Sequence, residues 1–214
     1  MAGNAAVLED GSRLSRIDRA LAGIETKLAL VSGLAVFGLM LLAVVSVTGR
    51  NILNVPVPGY VDWIEVTMPL IAFMGISYTQ RSGSHIRMDI LIGKLKGRMM
   101  WAAELFSVLI MLVLVLFLIW GSWAHFARSF DFAAPLWSRD STIDIRLPIW
   151  PAKLLVPFAF SVLALRLVLQ VWAYGRAVVT GAENPIAVPL PLSAAEQAAE
   201  EASHVSALDT KGAA

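Results

Sequence analysis

Two carboxylates three residues apart, Asp62 and Glu65, share a helical face at the start of an apolar stretch and are the first candidates for ion or proton chemistry. Glu104 and Arg166 are further ionisable residues set within long apolar runs. A charged group costs about 2.5–3.5 kcal/mol at the centre of a helix in lipid and less near the interface, so each needs a reason to be there. A relay needs further polar groups deeper along the path, and nothing continues beyond Asp62 and Glu65. Subunit-interface or structural roles are therefore expected for Arg50, Asp62, Trp63, Glu65, Glu104 and Arg166. Glu104 and Arg166 either pair across neighbouring helices or snorkel separately toward the interface. Of the histidines His85, His125 and His204, the first and last fall in loops, which argues against bis-histidine haem ligation. The absence of cysteine excludes disulfides, thiolate metal sites and cysteine nucleophiles. No Walker A, GxSxG, HExxH or dinucleotide fingerprint is present, so no catalysis, cofactor or metal is expected.

The elements that must position these residues are apolar. Four stretches, Leu28–Val47, Val61–Tyr78, Met99–Ala124 and Ile149–Trp172, each approach the ~20 residues a helix needs to cross a bilayer core. A helix apolar all round must be surrounded by lipid or by other helices. A hydrophobic fraction of 57%, charged residues at 15% and a mean hydropathy of +0.70 agree with an all-α membrane protein. The expected organisation is a disordered segment at 1–12, a four-helix transmembrane domain at 13–176 and a disordered cytoplasmic tail at 177–214. Within the domain the spans fall at about 24–50, 61–80, 98–125 and 149–174. A net charge of +1 provides no general basic field, and no nucleic-acid partner is expected.

Orientation follows from Lys and Arg. Arg13, Arg16, Arg19 and Lys27 precede span 1, Arg81, Arg87, Lys94, Lys96 and Arg98 fill the span 2–3 connection, and Arg176 follows span 4. The opposite loops hold only Arg50, Arg128, Arg139 and Arg146, so both termini and the middle loop are predicted to be cytoplasmic.

Several local signals refine this layout. Leu14, Ile17, Leu21, Ile24 and Leu28 recur at helical spacing, so helix 1 is predicted to begin in the interface and run on into the membrane. Ala29 and Gly33 form a small-xxx-small pair suited to close helix approach. Pro69 removes the bond to the Glu65 carbonyl and predicts a kink within span 2. Trp101, Trp120 and Trp123 flank span 3 as interfacial aromatics, and Pro148 and Pro151 suit the first turn of span 4.

The order of features resembles the small membrane subunit, DctQ type, of tripartite ATP-independent periplasmic (TRAP) transporters. The matching elements are Thr48-Gly-Arg-Asn51, a proline-containing turn, Asp62-Trp-Ile-Glu65, and the basic run from Tyr78 to Asp89 with His85, Ile86, Arg87 and Asp89. Family members often carry two adjacent acids after the tryptophan; here Val66 follows Glu65. The resemblance implies a bacterial inner-membrane scaffold partnered by a large permease of DctM type; Glu65, to which lipid offers no donor, is expected to touch that permease or a neighbouring helix such as span 1 near Arg50. The resemblance also implies a periplasmic solute-binding protein and sodium-dependent symport of organic acids such as dicarboxylates. Two other classes stay open: a stand-alone four-helix transporter or channel, tested by flux without a partner, and a membrane redox-complex subunit, tested by an optical spectrum.

Overall fold

The computed structural model describes residues 13–55, 57–81 and 98–181. Among these the chain is helical: α1 (Arg13–Thr48), α2 (Tyr60–Met74), α3 (Ile76–Arg81), α4 (Arg98–Ser129) and α5 (Trp150–Thr180). A π-helical turn, Gly49–Leu53, extends α1, and a single 3-10 turn, Pro135–Trp137, lies between α4 and α5. Helices suit this composition because lipid offers no hydrogen bonds and the backbone must satisfy its own.

Among the described residues, three segments are long and apolar enough to cross a membrane: Arg13–Leu53, Arg98–Ser129 and Trp150–Thr180. The stretch expected to be the second span is divided at Gly75 into 15-residue α2 and 6-residue α3. Pro69 lies inside α2, so the discontinuity falls six residues beyond the proline. Gly75 turns its N–H to the Phe73 carbonyl, which leaves the Ile71 carbonyl for the Ser32 hydroxyl of α1 at 3.0 Å. The Thr79 hydroxyl donates its one proton between the carbonyls of Gly75 (2.8 Å) and Ile76 (3.1 Å) on the far side of the break. Ser32, rather than the Ala29/Gly33 pair, makes the close approach: a Cβ at Gly33 would meet nothing within 4 Å.

The spine of the bundle is α5, which packs along α4 and touches α1, α2 and α3. Trp101, Val108 and Val115 of α4 recur every seven residues and meet Leu163, Leu167, Tyr174 and Ala177 of α5 in one buried cluster. Trp101 stacks on Tyr174 with centroids 6.1 Å apart, and Phe73 of α2 meets Phe160 edge-on at 5.3 Å. The first proline of the expected pair stands outside α5: Pro151 occupies its first turn, while Pro148 forms an isolated bridge with Ser141. Near the other end α5 runs on to Thr180, past the expected edge of the transmembrane domain.

The buried stripe of α1 differs from the one its apolar periodicity suggests. Leu14, Asp18, Leu21 and Glu25 face the bundle, whereas Ile17 and Ile24 are 46% and 51% exposed. Two acids have displaced two isoleucines, because the bundle presents arginines there. Beyond Leu28 the apolar window of α1 has no buried residue, and Leu34, Phe37, Leu41 and Val45 are uncovered.

Candidate functional site

Polar groups gather at the two ends of the bundle. At the end where α1 begins and α3 ends, Arg166 of α5 is 1% exposed and forks onto α1. Its Nε donates to Glu25 Oε1 at 2.8 Å, one terminal nitrogen to Glu25 Oε2 at 2.6 Å, and the other to Asp18. Arg81 at the end of α3 reaches Asp18 Oδ2 at 3.0 Å, and the Ser77 hydroxyl donates to Glu25 Oε1 at 2.5 Å. Beside them Gln80 Nε2 donates to Gln170 Oε1 at 2.8 Å. Two carboxylates and two guanidiniums thus balance in formal charge and join α1, α3 and α5. Planar fork-to-carboxylate geometry is what arginine does better than lysine.

Arg166 meets neither alternative, pairing with Glu104 or snorkelling by itself. Glu104 is buried on α4 and engaged elsewhere, while the described bonds of Arg166 go to Asp18 and Glu25. Sequence reasoning passed over those acids because they lie among charged residues before the apolar stretch. The signal that would have found them is their seven-residue spacing, in phase with Leu14, Leu21 and Leu28.

At the other end Asp62, 3% exposed in the first turn of α2, holds the α4–α5 loop. It accepts from the Thr142 hydroxyl (2.7 Å) and from the backbone N–H groups of Asp144 (3.1 Å) and Ile145 (2.7 Å). Gly59, with φ of 68°, permits this meeting: a Cβ there would fall 2.4 Å from Ile145 Cδ1. Asp62 is therefore a structural anchor within the chain. The same loop is tied by Lys153 Nζ to Asp140 Oδ2 (2.6 Å), by Ser129 to Asp140 (2.7 Å) and by Arg139 to Asp131 (3.0 Å). Those contacts hold the Asp140 carboxyl below its ordinary value, chiefly through the Lys153 hydrogen bond, and Asp131 is lowered chiefly by the Ala133 N–H.

Glu65 and Arg50 behave differently. Both are exposed, no ion pair joins them, and among the described residues neither has a hydrogen-bond partner. The expected proximity to Arg50 thus produces no bond within this chain. Trp63 is 45% exposed on the same helix as Glu65. His85, Ile86, Arg87 and Asp89 lie outside the described residues. A hollow of about 300 Å³ on α4, lined by Val113, Leu116, Phe117 and Trp120, presents an apolar surface with nothing to orient an organic anion.

Helices of membrane-crossing length with uncovered apolar faces and polar ties at both ends define a multi-pass helical membrane protein. Residues 39–175, more than half of the chain, match the family described as tripartite ATP-independent periplasmic transporters, DctQ component. The chain belongs to that family, a transporter component rather than an enzyme family. No curated relative matches it. The matched stretch contains Arg81 and Arg166 but begins after Asp18 and Glu25.

Proposed function

We propose that this chain is the small permease subunit of a TRAP transporter. It is a static scaffold for a large permease of DctM type in the bacterial inner membrane. It has four spans, with α2 and α3 together forming the second and both termini cytoplasmic. The large permease carries the solute, an organic acid such as a dicarboxylate delivered by a periplasmic binding protein, driven by a sodium gradient. Family membership carries the reading. Among the described residues the Glu65 carboxylate has no partner, which supports a protein neighbour, because lipid offers it no donor.

The test is co-purification and uptake. With the large permease co-expressed, the pair should be recovered together from mild detergent, and Glu65→Gln should weaken recovery and uptake about tenfold, the scale of one hydrogen bond to a charged group. Solute preference should not change. Uptake by the chain alone would overturn the scaffold role, and an altered solute preference in Glu65→Gln would place Glu65 in a substrate path.

A further inference from the structure

The first four turns of α1 carry Arg13, Arg16, Arg19 and Lys27 against Asp18 and Glu25, an unremarkable mixture on paper. The fold separates the signs. At about 100° per residue, Arg13, Arg16 and Lys27 fall within an arc of roughly 60°, and the two acids lie roughly opposite. Both acids are at most 1% exposed and bonded to Arg166, with Arg81 on Asp18 as well, so their charge is balanced inside the bundle. Arg13, Arg16 and Lys27 are exposed and, among the described residues, have no hydrogen-bond or ion-pair partner. The outward face is therefore purely cationic.

Two further features specify what meets it. Half-exposed Ile17 and Ile24 border the cations on that face, and Val31 and Leu34, also exposed, continue the same arc into the apolar length of the helix. The stretch from Arg13 to Lys27 rises about 21 Å, so a lipid–water boundary below the apolar window crosses it. Charge complementarity with acyl contact at the same level fits a phospholipid headgroup better than a soluble anion. We propose that this face of α1 binds anionic phospholipid, with Arg13, Arg16 and Lys27 on phosphate and Ile17 and Ile24 on the adjoining acyl chains.

Because the chain has no cysteine, Ala20→Cys, on the same face between Arg16 and Lys27, places a single fluorophore there. The full-length protein is reconstituted in phosphatidylcholine vesicles containing equal small fractions of brominated phosphatidylglycerol or brominated phosphatidylcholine. Brominated phosphatidylglycerol should quench as though locally enriched about fivefold per engaged cation at low salt. The excess should shrink in 1 M salt and vanish in Arg13→Gln/Arg16→Gln/Lys27→Gln. Equal quenching by the two lipids in the parent overturns the proposal. So does quenching by neither, with the fluorophore shielded by a co-purifying protein, which would assign the face to a protein partner. Conservative Lys replacements at Arg13 and Arg16 should retain most of the preference, separating charge from a folding defect.

Discussion

At the residue scale, Arg166 is the group whose loss should be felt most. Removing it strands the buried Glu25 carboxylate and leaves Asp18 with Arg81 alone, and breaking a buried ion pair from one side costs about 3–5 kcal/mol. Arg166→Ala should therefore lower the thermal midpoint of the detergent-solubilised protein markedly, and Arg166→Lys should fall between, keeping charge but losing the fork onto Glu25 and Asp18. An unchanged midpoint in Arg166→Ala would contradict the cluster. Asp62 is a similar case with neutral donors. Asp62→Ala leaves the Thr142 hydroxyl and the N–H groups of Asp144 and Ile145 without their acceptor, at about 1–3 kcal/mol. Faster amide exchange at Asp144 and Ile145, with α4 and α5 unaffected, is the expected signature.

At the element scale, the α4–α5 loop should be acid-sensitive through Asp140 and Asp131. Both carboxyls are lowered from the ordinary 3.8 in the folded loop. A lowered folded value means the charged form stabilises the fold above the unfolded value. That contribution is lost as pH falls below about 4 through the folded value. Loop amide exchange should thus be steady from neutral pH down to that point and accelerate below it, and Asp140→Asn should flatten much of the change. Loosening that began near pH 6 would implicate another group. The break between α2 and α3 belongs to this scale too. Gly75→Ala meets open space, since beyond its own local backbone nothing lies within 4 Å of the added Cβ, and alanine gains up to about 1 kcal/mol of helix preference. A rise in melting temperature that left assembly with the large permease intact would show the break to be dispensable, whereas lost assembly would make it functional.

At the scale of the whole molecule, charge distribution predicts which end faces the cytoplasm. Ser138, between α4 and α5, should react as Ser138→Cys with an impermeant thiol reagent in intact cells, and Ser84→Cys in the basic run should be protected. The opposite pattern would invert the orientation and leave the lipid-binding face of α1 in the other leaflet. One end of the bundle is locked by charge pairs from three helices and the other by a carboxylate on a loop, so relative sliding of α1, α2 and α5 should be resisted. Such stiffness suits the proposed scaffold role.

Composition and apolar run length were enough to establish the helical membrane class, and the linear order Thr48-Gly-Arg-Asn51, Asp62-Trp-Ile-Glu65 pointed to the family that residues 39–175 match. These are properties of local sequence, because a helix in lipid satisfies its own backbone and needs no distant partner to form. Tertiary structure decided which charges meet. Glu104 and Arg166 had similar predicted depth, but only packing could show that α1 brings Asp18 and Glu25 to Arg166, with Glu104 engaged elsewhere. Periodicity placed Ile17 and Ile24 on one apolar stripe with Leu14, Leu21 and Leu28 because it weighs each side chain alone; the arginines of α3 and α5 turned Asp18 and Glu25 inward instead. A buried charge is tolerable only where its counter-charge arrives from elsewhere in the chain, and that arrival is a fact of three-dimensional packing.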